Sequence, residues 1–564
     1  MCIFSISFAR ARTLKYIVFN SIIVKRKYKF VIVIMLIFVL FFIFKLIQDN
    51  TEEVVDDVLD QPRVTGEFFG PLIHVFSRIS PTELSNLQSN SFQGLTNPRM
   101  TPTEILVYNI SGENQEEQIR ARVIQGILNR EKPILYLIDS ENDEFWLSQI
   151  SAKKNYITGL SDSNYSKIKY DPENIKQIYL AVTLSGIHNA IPVTDADKPL
   201  FDLTELSNKE LYALMLESFE DSNKQMISFR SKLSPSHIDF VVKNKMFLSP
   251  LAITDESTFL TLKFESRKEA KIIEEIFSQM ESDCAMVGYN INPGIAGEFE
   301  TINYLSKQGC FSVPVPSVPN LSFFSGLTQS EPKHIDPKTT TKLEDKVYVV
   351  FLMSDADNLE ISYSKYEKFT QNHTTPIGWS ISPLLNEFAP TIFDYYSSNL
   401  AETDTFIAAP SGGGFGYPSK NKYLPAFIEH TNKFMQETKL NYIWVLDYPI
   451  RGYSPELLQK FSEISDGMFM EYVILRSYEQ SIESYNDKPA IFSAGFVDKD
   501  GKIAKRVIKS TPKQRPAFLF IGLEVRYNSP EHIDAEVAKL DSEIYEIVSV
   551  PEFMELIKQN GNAN

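Results

Sequence analysis

The chain predicts an α/β protein whose last domain is a (β/α) barrel, complete or short of a full circuit. Smaller α/β units and one N-terminal transmembrane helix precede it. Three observations carry this prediction. Strand-like and helix-like patterns take turns from Thr103 to the C-terminus, as in layered α/β folds. Seven or eight βα units follow Lys346 in about 220 residues, against about 250 for a full barrel. Acidic, glycine and aromatic residues gather directly after the apolar strand runs, at the ends that a parallel sheet brings to one face. An open parallel sheet is the runner-up, because no sequence feature decides closure.

The elements begin with a basic tail, residues 1–29, holding Arg10, Arg12, Lys15, Lys25, Arg26, Lys27 and Lys29. Phe30 to Phe44 is uninterrupted apolar sequence, extended past Lys45 by Leu46 and Ile47. This approaches the ~20 residues of a bilayer span, with Lys45 able to snorkel. The basic flank precedes the run and Glu52, Glu53, Asp56 and Asp57 follow it. A single-pass signal-anchor over 30–47 is expected, with a cytoplasmic N-terminus and an exoplasmic or lumenal bulk. No small-residue cleavage site follows the run, which argues against a cleaved signal peptide.

Of 56 Lys and Arg, eight lie in residues 1–45, leaving 48 against all 72 acids beyond the membrane run. Such a surface excludes nucleic acid as a partner and disfavours anionic lipid. Cys284 and Cys310 either pair or remain two buried thiols. Asn109, Asn164, Asn320 and Asn372 head glycosylation sequons, which permit a glycan on a surface loop.

Residues 48–100 read as a stalk, acidic and then rich in Ser, Asn and Pro. Residues 101–250 hold α/β units: a strand at Glu104–Tyr108, a helix from Asn114 to Asn129, a strand at Pro133–Ile138, then a strand-like run at Gln177–Val182. Gln125, Asn129 and Arg130 are expected to fix packing there. A further α/β unit spans 251–328 and contains Glu298 and both cysteines; 329–345 is a polar linker.

In residues 346–564 the strand candidates are Val347–Met353, Ile377–Ile381, Thr405–Ala409, Tyr442–Leu446, Met468–Tyr472, Ala490–Ala494 and Ala517–Leu523, with Ile544–Val548 as an eighth. Polar residues sit at their exits. The first ends in Ser354-Asp355-Ala356-Asp357-Asn358 and the second contains Trp379 and ends in Ser382. The third leads into Ser411-Gly-Gly-Gly-Phe-Gly-Tyr-Pro418, where glycines permit backbone that a side chain would block. The fourth ends in Asp447-Tyr448, the fifth at Glu471, and the seventh at Glu524 with Arg526 beyond. One acid at a strand end is commonly a helix cap. Several strands ending this way point to a shared rim.

The run Gly412-Gly-Gly-Phe-Gly-Tyr-Pro418 resembles the signature of the GxGYxYP putative glycoside hydrolase family, with Phe415 at the first Tyr position. Ser354–Leu359 resembles the family's S-D-G-D-N-L stretch, with Ala356 in place of Gly. Ile377–Pro383, Ala409–Ser411, Ile124–Arg130, Gly297-Glu298 and Asn320–Ser322 also fit, so the resemblance covers about residues 103–560. It implies a barrel-like C-terminal domain and action on carbohydrate. Glycoside hydrolysis needs a proton donor and a second carboxylate. The catalytic candidates are Asp355, Asp357, Asp447, Glu471 and Glu524. Candidates for binding substrate are Asn358, Trp379, Ser382, Ser411, Gly412, Gly414, Phe415, Tyr417, Tyr448 and Arg526, the aromatic faces stacking on sugar rings.

Two rival functions fit parts of the pattern. A lumenal glycosyltransferase would hold a divalent cation on Asp355 and Asp357. A membrane-tethered carbohydrate-binding module would use the cleft without turnover. No resident cofactor or metal is expected, because the seven histidines are scattered and none sits i, i+4 from another. A Ser411–His373 nucleophile is rejected for want of a G-x-S-x-G elbow. The sequence is silent on oligomeric state.

Overall fold

The computed structural model describes residues 90–562, apart from 231–234, 252–263, 289–294, 316, 370, 448–452, 473–480, 493–494 and 498–500. The basic tail, the apolar run 30–47, most of the stalk and Tyr448 therefore lie outside the described residues. Among the described residues no helix is long and apolar enough to cross a membrane.

Three small parallel sheets come first. One has the order β2-β1-β3, from β1 (Glu104–Asn109), β2 (Leu135–Ile138) and β3 (Lys153–Ile157). The next is β5-β4-β6, from β4 (Lys167–Lys169), β5 (Ile191–Val193) and β6 (Phe201–Asp202). The third is β10-β9-β7-β8, from β7 (Met226–Phe229), β8 (Phe247–Ser249), β9 (Cys284–Val287) and β10 (Cys310–Val313). Cys284 and Cys310 are register partners across β9 and β10 and are disulfide-bonded, which settles the alternative the sequence left open.

The run at Gln177–Val182 is no strand. It lies inside the helix Ile175–His188, whose residues 177–186 are all buried. A helix enclosed on every side loses its polar stripe, and its apolar run then imitates a buried strand. Gln125 and Asn129 do fix packing: their amides donate to Leu135 O and reach Asn320 Oδ1 and Ser322 Oγ, which tie the first sheet to the segment after β10.

The C-terminal sheet contains β11 (Val347–Ser354), β12 (Ile377–Ile381), β13 (Thr405–Ala408), β14 (Tyr442–Asp447), β15 (Gly467–Tyr472), β16 (Ser481–Tyr485), β17 (Lys488–Phe492), β18 (Gly495–Val497), β19 (Ala517–Glu524) and β20 (Tyr545–Ile547). Its order is β16-β17-β15-β14-β13-β12-β11-β19-β18, with β20 also on β11, and every pair is parallel except β16–β17. The last long strand, β19, thus lies beside the first, as in a singly wound barrel. β17 and β18, only two residues apart in the chain, bond β15 and β19 respectively. The sheet is curled and barrel-like, with its seam along that short stretch.

Strand alternation sorts the side chains. Tyr348, Val350, Leu352, Ile407, Tyr442, Trp444, Phe469, Ile491, Phe518 and Phe520 form one cluster inside the curl. The helix Val550–Asn562 adds Val550, Phe553, Met554, Leu556 and Ile557 to it. The intervening residues, such as Val349, Phe351, Ile443, Val445 and Ile521, join the larger core shared with the helices and the N-terminal sheets.

Candidate functional site

β11 carries the site. Its inward series 348, 350, 352 continues to Ser354, which is in register with Glu524 at the end of β19. The chain then turns through Asp355, a non-glycine residue at φ 67°. Such left-handed backbone is uncommon and concentrates where function holds it. Ala356 needs no positive φ, so its replacement of the family's Gly is accommodated. Asn358, not either aspartate, caps the following helix Leu359–Ser364, accepting from Glu360 N at 3.0 Å. Asp355 and Asp357 are thereby released from the commonplace capping role.

Asp355 acts on two other carboxyl groups, Asp357 and Glu524. Asp355 receives Arg526 Nη2 at 2.9 Å and hydrogen-bonds Glu524. Glu524 is pushed up to about 8 by burial, then by the charge and hydrogen bond of Asp355, against the opposing pull of Arg526. Asp357 is buried, and burial followed by the charge of Asp355 pushes it up to about 7, opposed by the nearby hydroxyl of Ser380 on β12. Burial penalises the charged form and a neighbouring anion adds to that penalty. The charge of Asp355 thus adds to burial in raising both neighbouring acids. Arg526 supplies the positive charge beside Asp355, and among the described residues no group of three His, Cys, Asp or Glu converges as a metal site.

The other candidate acids lie elsewhere on the rim. Glu471 is buried and shares the inward phase of Phe469 on β15. Asp447 shares the outward phase of Val445; it accepts from Ser419 Oγ at 2.8 Å and from Ser419 N, and so braces the chain after the glycine loop. Asp447, by its outward phase, departs from the single rim expected for all five acids.

The glycine loop itself is an interdomain joint. Phe415 exchanges backbone hydrogen bonds with Ser312 of β10, at 2.8 Å each way. Gly412 has φ 95°, and a Cβ on Gly414 would stand 2.3 Å from the Phe311 ring. Only glycine lets the backbone lie this close. Phe415 is buried, Tyr417 is wholly buried, and Tyr417 N donates to Ser306 Oγ. Ser411 is buried too; its hydroxyl bonds Leu446 O and Leu446 N, stitching β13 to β14. Ser382 accepts from Leu384 N. Trp379 lies on the outward face of β12, stacked on Phe369 with its indole N–H on Asp404 at 2.7 Å. A buried indole with both partners satisfied leaves no face for a sugar ring, so Trp379, Phe415 and Tyr417 serve packing. His373 also bonds Asp404 and is remote in role from Ser411.

Sequence reasoning missed Ser380, Glu360 and Tyr527. Ser380 was legible as the residue sharing a strand face with Ser382. Tyr527, 48% exposed, follows Arg526 directly.

Residues 345–558 match the GxGYxYP putative glycoside hydrolase C-terminal domain, and residues 223–326 match the GxGYxYP third domain. Together these matches span more than half of the chain. No curated protein resembles the chain in sequence. Among solved structures, a putative hydrolase from Bacteroides thetaiotaomicron VPI-5482 superposes with a TM-score of 0.68 at 20% identity, covering 86% of this chain and 99% of that one. At that identity the likeness establishes a shared fold.

Proposed function

The chain belongs to the GxGYxYP putative glycoside hydrolase family, and from that premise we propose that it hydrolyses glycosidic bonds at the Asp355–Asp357–Glu524 cluster. The carrying observation is the pair of acids, Asp357 and Glu524, that burial and then the charge of Asp355 raise to about 7 and about 8. Hydrolysis requires one protonated and one ionised carboxyl group at the same pH. Glu524, the higher of the two, is the proton donor. Asp357 is the carboxylate that acts on the sugar or on water. Asp355 hydrogen-bonds Glu524, which is too close for the two to flank a sugar. Its charge raises both of the other acids while Arg526 lowers both, and the exposed Tyr527 offers a face for ring stacking.

Hydrolysis of a glycan panel by the full chain, Asp357→Asn and Glu524→Gln tests this. Each variant should lose about 10²-fold or more in rate while glycan binding persists. Undiminished hydrolysis in both would refute the assignment. Binding without turnover by the native chain would favour a carbohydrate-binding module instead.

A further inference from the structure

The third N-terminal sheet reaches this rim. Leu359 N donates to Pro314 O just beyond β10, so the exits of β10, β9 and β7 lie against the start of the helix that follows Asp357. Arg230 leaves the end of β7, its own N–H on Ser249 O. Its guanidinium is partly buried and makes no ion pair among the described residues; its side-chain hydrogen bond goes to His237 Nδ1 at 2.7 Å. An arginine can only donate, so Nδ1 is the acceptor and His237 Nε2–H donates to Ser228 Oγ at 2.9 Å. Ser228 and His237 are both wholly buried. Burial and the nearby Arg230 charge hold the imidazole well below its usual range, which keeps it a neutral acceptor.

This is an oriented cation with no counterion among the described residues, in a chain with a large excess of acid. The nearest influence of opposite sign is Glu360, beyond ion-pair distance, whose carboxyl group feels both Arg230 and Arg526 and is itself pushed up by burial. Burying a charge is costly unless something pairs with it. The planar guanidinium fork suits an oxyanion. Glu360, in the first turn of the helix that follows Asp357, feels the charge of both Arg230 and Arg526.

We propose that Arg230, oriented by His237 and Ser228, receives an oxyanion carried by the carbohydrate, either a uronate carboxylate or a sulfate ester. The substrate class is then an acidic glycan. That the ligand is a sugar rests on the hydrolase reading; that it is anionic rests on Arg230 alone.

Calorimetric titration of the full chain with glucuronate, glucose 6-sulfate and glucose tests the proposal. One of the two anions should bind about tenfold more tightly than glucose, and which one does so identifies the oxyanion. In Arg230→Gln the difference should vanish; Arg230→Lys, keeping charge but not the fork, should retain only part of it. Equal binding of all three ligands by the native chain, or a difference that survives in Arg230→Gln, overturns the proposal. If Arg230→Gln does not fold, Arg230→Lys decides: an unchanged difference there overturns it. The outcome is separable from that for hydrolysis. Turnover lost in Glu524→Gln with no preference for anions defeats this inference alone, whereas Arg230-dependent anion binding without turnover defeats the hydrolase reading alone.

Discussion

Asp355 owes its influence to its charge, which raises both Asp357 and Glu524 and pairs with Arg526 at 2.9 Å. With Asp357 required ionised and Glu524 protonated, the rate should rise as pH passes about 7 and fall as it passes about 8, a narrow bell in a plot of kcat/KM against pH. Arg526 pulls both groups downward, so Arg526→Gln should move both limbs to higher pH. A profile that stays in place, or moves to lower pH, contradicts this electrostatic account. Strand phase was the residue-scale signal open to sequence reading: it puts Ser354, Ser380, Glu471 and Glu524 inside the curl and Trp379 and Asp447 outside. The acids themselves were found from their place at strand ends. Their grouping was not, because it depends on β19 returning to lie beside β11.

At the scale of elements, the strongest motif of the chain proved to have a packing role. The triple glycine threads between Phe311 of β10 and His430 and Thr431 of the helix Leu424–Glu437. Gly414→Ala should therefore destabilise the fold by about 1–3 kcal/mol through overpacking, read as a lower denaturation midpoint. An unchanged midpoint would mean that the loop is not held against β10. The parallel strands were legible because strands buried on both faces read as short apolar runs. Ile377–Ile381 coincides with its expectation. The hairpin β16–β17 was missed, although Asn486 and Asp487 at its tip, both at positive φ, are residues that suit a two-residue turn. Its first strand is exposed throughout most of its length and so lacks the apolar signal.

Over the whole molecule, the N-terminal sheets complete the rim and lock it. Asn320 shows how. It is wholly buried, its side chain bonded to Leu137 N and O, Gln125 and Asp143. If the chain is exported through a glycosylating compartment, glycans should appear on the exposed Asn109, Asn164 and Asn372 and not on Asn320. Mass spectrometry of glycopeptides checks this, and a modified Asn320 in folded protein would contradict the packing described. The disulfide closes 26 residues between β9 and β10. Replacing both cysteines by alanine should cost roughly 3 kcal/mol by loop-closure entropy, seen as a lower melting temperature of the oxidised chain.

The sequence by itself determined the α/β class, the order of strands and helices in the last domain, the family, and the acids that end its strands. These follow from local periodicity and short motifs, which act over a few residues. Tertiary structure alone decided that β19 closes onto β11, that the glycine loop grips β10, and that the segment after β10 bonds the start of the helix following Asp357. Those outcomes depend on which surfaces meet across hundreds of residues, and the energy of such meetings resides in burial and pairing that no local pattern encodes.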